Sequence, residues 1–304
     1  MACDIIYTER GEKVKKSRDD ILGQNLSEEA SETEAIYTIW LLFREKPDAP
    51  PPAAAIAEKL RERFGEVDVV SGSPGLSAFA LRSHVVTYED NKEIPSMVII
   101  GECEETVEPH GDEIARTQFW DCPDGVALLD SCEYQIMIGD FLASGLPALE
   151  RANILADWLD IALEIYPTCA AVYVGASAKL LTAGKVFSNP YSGSLRLIWF
   201  GVNVRYFNVQ GTNDRLVDTL GLYAIGLPDV QYHFHTLDPN GVVEHAYNTA
   251  TYQLKSNAAI KSGHTIEGLS PGSSWRCRYE ASLIQPARIV LDIDTGEFSS
   301  GNRR

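Results

Sequence analysis

The chain has 304 residues, 45% of them apolar and 23% charged, and a net charge of −17. That length and apolar share allow one large or two packed domains and exclude general disorder. No apolar run reaches the ~18–20 residues of a membrane helix, and the carboxylate excess argues against anionic lipid or nucleic acid as a partner.

The excess is uneven. Residues 1–130 hold 27 Asp and Glu against 13 Lys and Arg, whereas 131–304 hold 16 against 13. It is densest around Glu89, Asp90, Glu93, Glu102, Glu104, Glu105, Glu108, Asp112 and Glu113, with Lys92 as the one basic residue there. The opening Met1-Ala2-Cys3-Asp4-Ile5 lacks a basic region followed by an apolar core, so a cytoplasmic location is expected. Six dispersed cysteines without a CxxC pair read as reduced thiols.

In chain order, residues 1–34 read as a flexible charged lead-in, too poor in large apolar side chains to offset the entropy of ordering. Ile36 to Phe43 is β-branched and aromatic, bounded by Pro47, and predicts a buried strand. After Pro50-Pro51-Pro52, the spacing of Ile56, Leu60 and Phe64 predicts a helix over 53–64 with Gly65 as its cap. Strands are expected at 66–70, 78–81, 84–88 and 97–100, and a long acidic surface loop over 102–125.

A strand at 134–138 opens a second half. Leu149, Ala152, Leu155, Ala156, Leu159 and Leu163 form an apolar stripe that predicts a helix over about 147–165, stopped by Pro167. Then come a strand at 170–174, a short helix near 176–182 and a long strand from Leu195 to Phe207. A strand at 230–234 precedes a helix from about 240 to 257, and strands are expected at 275–279 and 288–293. The fold class expected is α+β: two packed α/β modules, 35–125 and 126–304, each a mixed sheet with helices mainly on one face.

Several short motifs are familiar in this order. Glu133-Tyr134-Gln135-Ile136-Met137, Glu150-Arg151, Pro167 and Ala170-Ala171-Val172-Tyr173 are followed by Thr219-Leu220-Gly221-Leu222 and Gly226-Leu227-Pro228-Asp229. The Tyr252 helix and Gly263-His264-Thr265-Ile266 complete the set. From Ile36 to Gly268 the chain resembles bacterial proteins carrying the domain of unknown function 4261. The resemblance implies a bacterial, cytoplasmic α+β protein and carries no catalytic residue across.

The chemistry visible in the sequence is sparse. His233 and His235 share one face of a strand, and with His245 and Asp238 nearby they could hold zinc. Alternation, however, puts Tyr232 and Phe234 on the core face and the two histidines on the solvated one. Cys169 precedes an apolar run and reads as a buried side chain rather than a nucleophile. Ser71-Gly72-Ser73-Pro74-Gly75 lacks the Lys-Ser/Thr ending of a phosphate loop, and no GxSxG elbow occurs. Arg276, Arg278 and Arg288 form at most a small basic patch in an acidic chain.

The expectation is a non-enzymatic binding protein without a cofactor. Its partner would be a basic protein, for instance a cationic toxin neutralised by an immunity protein, engaged through Glu102, Glu104, Glu105, Glu108, Asp112 and Glu113. The alternative is an enzyme of unknown class using His233, His235 and His245.

Overall fold

A computed structural model describes residues 3–4, 36–73, 75–88 and 91–301. Most of the lead-in expected over 1–34, together with Glu89 and Asp90, lies outside the described residues. The protein is α+β, with two compact units: Thr33–Val202, and one built on Asn203–Arg304.

The expected boundary at 125/126 is corrected by the sheet of the first unit. Its strands β2 (Thr38–Phe43), β3 (Val67–Gly72), β4 (Leu76–Thr87), β5 (Glu93–Glu105), β6 (Tyr134–Phe141), β7 (Ala171–Val174) and β8 (Lys179–Thr182) run in the order β3-β4-β5-β6-β2-β7-β8. Every pairing is antiparallel. The strand after residue 126 fills the gap between β5 and β2, so a cut there would leave both of those edges unpaired.

Why β2 sits centrally follows from its residues. Ile39, Leu41 and Phe43 are fully buried on one face, with Leu42 buried on the other. By register, Ile39 and Leu41 share their face with Ile138 and Ile136 of β6. On this face lie the helices α1 (Ala53–Phe64) and α4 (Ala148–Ile165). α1 buries Ile56, Ala57, Leu60 and Phe64, as its spacing predicts, and ends at Gly65 with φ 75°. α4 is tied down by polar contacts as well as by its apolar stripe. Arg151, fully buried, donates from Nε and Nη2 to Asp140 of β6 at 2.6 and 2.8 Å. Asp140 Oδ1 also accepts the Tyr37 backbone N–H at 2.8 Å. Beside it, a Cβ on Gly139 would lie 2.3 Å from the Tyr37 carbonyl oxygen, so this close strand approach requires glycine.

Three expectations in this unit change. Residues 102–125 are not one loop: β5 continues through Glu105, and short helices α2 (Glu113–Arg116) and α3 (Gly125–Asp130) follow. The helix expected near 176–182 is a 3-10 turn, Gly175–Ser177, with Ala178 at φ 50° leading into β8. The strand expected from Leu195 to Phe207 is a 3-10 turn (Gly193–Leu195), a helix α6 (Arg196–Gly201) and a strand β9 (Asn203–Asn208), with α5 (Ala183–Phe187) preceding them. Leu197, Ile198, Phe200 and Gly201 are buried together in α6, and apolar residues at consecutive positions cannot distinguish a short buried helix from a strand.

The second unit is a mixed sheet of β9, β10 (Arg215–Leu220), β11 (Asp229–Phe234), β12 (Thr265–Glu267), β13 (Ser274–Ala281) and β14 (Ile289–Asp294), in the order β9-β10-β11-β14-β13-β12. The two-residue strand β1 (Cys3–Asp4) pairs parallel to β9 at one edge. β11 and β14 are also parallel, and the remaining pairings among β9 to β14 are antiparallel. Helix α7 (Pro239–Ser256) starts at the Asp238 cap and ends at Asn257, φ 48°. It buries Val242, Ala246, Ala250 and Leu254, the first two in one core cluster with Val217, Val230, Tyr232, Phe234, Leu291 and Ile293.

Candidate functional site

The six acidic residues singled out by the sequence lie where β5 ends and the chain folds back over its own sheet. Glu102, Glu104 and Glu105 close β5; Glu104 stands opposite Gln135, and Glu105 opposite Tyr134. Gln135 Oε1 lies 2.7 Å from His110 Nε2. The His110 ring is stacked on Tyr173 at 4.8 Å between centroids and tilted against Trp40 at 5.1 Å. This pin places the turn holding Glu108 and Asp112 over the strand that pairs with Glu104. Burial pushes the His110 pKa down, opposed by the Gln135 contact. Tyr173 beneath it is pushed up to about 12, by burial first and by the nearby Asp112 carboxylate second.

Asp112 also shapes the backbone that follows it, since its Oδ1 accepts the Ala115 N–H at 2.8 Å and caps α2. All six carboxylate side chains belong to exposed residues. Among the described residues none of the six forms an ion pair. Residues 102–133 hold ten carboxylates and a single basic residue, Arg116, which pairs with Asp130 at 2.9 Å.

Below this surface, residues 106–132 form an overlay on the sheet face opposite α1 and α4. Phe119, Cys122, Leu129 and Cys132 are its inner side, packed on Leu42, Ala171, Tyr173 and Leu180. The overlay is fastened by a buried lysine: Lys179 Nζ lies 2.9 Å from Asp121 Oδ2 and donates to the Val202 carbonyl at 2.9 Å. Burial drives the Lys179 pKa down, and Asp121 opposes that shift. Lys185 also donates to the Asp121 carbonyl.

The three histidines are not brought together. His245 spends both ring nitrogens inside the α7 face of its sheet, with Nδ1 2.8 Å from the Tyr232 hydroxyl and Nε2 2.8 Å from the Glu267 carbonyl. Burial lowers its pKa, against the Glu267 contact. Nε2–H therefore donates to the carbonyl while Nδ1 accepts from Tyr232. His233 is on the opposite face of β11 from Tyr232, 3.5 Å from Asp214, and His235 contacts Thr236. Among the described residues no group of three or more His, Cys, Asp or Glu is placed to hold a metal ion. The five described cysteines are free thiols.

A set of charged residues whose pairing the sequence did not show crosses the second unit's sheet, and it takes in Arg278 and Arg288, read above as part of a basic patch. Arg205, Asp218, Gln231, Asp292 and Arg278 occupy one transverse register row over β9, β10, β11, β14 and β13. Arg205 Nε and Nη2 donate to Asp218 at 2.8 and 2.5 Å, and Gln231 Nε2 donates to Asp292 at 3.2 Å. Arg288 bridges two buried carboxylates, donating to Asp218 and Asp229 at 3.0 Å each. Asp229 also accepts from Thr219 Oγ1 and the Gly221 and Leu222 amides, which closes the β10–β11 connection. Its pKa is raised by burial, with Arg288 pulling the other way. With Asp218 and Asp229 held by the Arg205 and Arg288 guanidiniums, and Asp292 by Gln231, this row and the bridge beside it are a polar seam within the sheet. Its one signal in the sequence is the placing of charged residues inside segments otherwise patterned as strands.

Residues 218–294 match the family described as Domain of unknown function (DUF4261). That span includes Thr219–Leu222, Gly226–Asp229 and 263–266, motifs on which the resemblance rests, and most of the polar seam. No curated protein and no solved structure matches the chain.

Proposed function

We propose that the protein is a non-enzymatic binding protein whose acidic surface over 102–113 engages a basic protein partner. The observation that carries this reading is that Glu102, Glu104, Glu105, Glu108, Asp112 and Glu113 are exposed and form no ion pair among the described residues. Exposed, unpaired carboxylates this dense along one stretch of chain make a local negative field, which speeds encounter with a cationic surface and rejects anionic competitors. In its more specific form the partner is a cationic toxin such as a nuclease, and the protein an immunity factor occupying the surface that binds phosphate.

Affinity capture from a bacterial lysate at low salt tests the reading. Wild-type protein is expected to retain a basic protein released by ~0.3–0.5 M salt, where the screening length falls to a few ångströms. A variant with all four glutamates 102, 104, 105 and 108 changed to Gln should lose it. Retention that ignores both salt and these substitutions would refute the proposal.

A further inference from the structure

The surface proposed above as a binding face is not only charged. Four large apolar side chains on the same stretch of chain face solvent: Val107 is 90% exposed, Trp120 and Val126 41%, and Ile114 39%. Each belongs to the overlay, whose inner side is already occupied by Phe119, Cys122, Leu129 and Cys132. The chain turns tightly about Phe119. Its ring lies 3.4 Å from where a Cβ on Gly111 would be, and 3.0 Å from the same position on Gly125. Gly111 and Gly125 thus both border Phe119, with Ile114, Trp120 and Val126 each within three residues of one of these three positions, and Val107 lies between Glu105 and Glu108 in the chain.

Trp120 is also held in place before any partner arrives. Its indole Nε1 donates to Gln118 Oε1 at 2.9 Å, and Gln118 is itself buried, 1% exposed. An exposed aromatic ring locked by a buried amide loses little freedom on binding, which is the property of an interface anchor.

Taking the acidic-face reading as its premise, we infer that this overlay docks a basic amphipathic segment of another protein. Apolar side chains of the segment would cover Trp120 and Val107, and flanking lysines or arginines would meet the surrounding carboxylates. Charge decides among occupants: a second copy of this chain would bring ten more carboxylates against the same face, and an anionic lipid surface would be repelled equally.

The test uses the full chain and three synthetic probes of equal positive charge, measured by fluorescence anisotropy near 0.15 M salt. The probes are an amphipathic Lys/Leu helix peptide, its scrambled isomer with the apolar face dispersed, and an oligolysine. The amphipathic peptide is expected to bind at least about tenfold tighter than the other two, with Trp120→Ala removing about tenfold of that advantage. Oligolysine binding should be unchanged by Trp120→Ala. Val107→Asn, at a site too exposed to disturb folding, should weaken the amphipathic peptide by a smaller factor. Equal binding of all three probes, or indifference to both substitutions, overturns the apolar anchor while leaving the charge reading intact. Failure of every probe to bind, oligolysine included, overturns both. Concentration-dependent dimerisation abolished by Trp120→Ala would assign the patch to a second copy and likewise overturn it.

Discussion

Asp218→Asn is the sharpest perturbation of the polar seam. The substitution preserves side-chain shape and one acceptor but deletes the charge on which two arginines converge. The Asp218 side chain is fully buried, and those of Arg205 and Arg288 are only 4% and 7% exposed. Arg288 retains Asp229, whereas Arg205 is left with the Gln285 carbonyl at 2.8 Å and pairs with no second carboxylate among the described residues. Removing one partner of a buried ion pair costs roughly 3–5 kcal/mol, because the remaining charge stays desolvated. With an amide oxygen still present the lower end applies, about 3 kcal/mol. At ~1.4 kcal/mol per tenfold, that is an increase of about 150-fold in the opening equilibrium. Hydrogen exchange read by mass spectrometry on peptides from β9, β10 and β14 should show it as faster exchange of their slowest amides. Peptides from Thr33–Val202 serve as an internal reference. Glu244→Gln, an exposed substitution on α7, should leave exchange unchanged. If Asp218→Asn altered protection in β9 and β10 by less than about threefold, the seam would not be holding the sheet as argued.

Gly139→Ala should destabilise the first unit by roughly 2–3 kcal/mol, since its Cβ would sit 2.3 Å from a backbone oxygen that cannot move independently. Gly184→Ala, in α5 with nothing within 4 Å of the new Cβ, should instead stabilise by about 0.5–1 kcal/mol; urea midpoints compare the two, and equal shifts would contradict the packing argument. His245 and His110 both titrate below the ordinary 6.5 because burial disfavours the imidazolium. The unfolded chain therefore protonates first on acidification, so their contribution is complete above about pH 6.5 and is lost as pH falls toward the folded values. His245→Gln should flatten the pH dependence of stability in the Asn203–Arg304 unit, and His110→Gln in the Thr33–Val202 unit. An unchanged slope after substitution would count against burial holding these imidazoles neutral.

Much of the local structure was legible because single-segment periodicity decides it. The alternation of Ile39, Leu41 and Phe43, the four-residue spacing of Ile56, Leu60 and Phe64, and the placing of Tyr232 and Phe234 toward the core all follow from one face being buried. The helix over Arg196–Gly201 was not legible, since an apolar run without a polar face has no period to read. Nor was the domain boundary: β6 inserts between β5 and β2, and strand order depends on partners a hundred residues apart. The exposure of the acidic residues followed from composition, but the seating of His110 on Gln135, Tyr173 and Trp40 joins residues with no shared pattern. Arg205 and Asp218 are equally silent until the register of β9 against β10 sets them side by side.

The register row has a practical corollary for anyone excising the family-matched stretch. A fragment starting at residue 218 would begin on the very carboxylate that Arg205 neutralises, discard the strand supplying that arginine, and bare what remains of β10. Such a piece should be insoluble or loosely folded, whereas one reaching back to Asn203 keeps the guanidinium and covers that edge. The natural cut for dissection lies fifteen residues upstream of where sequence similarity begins.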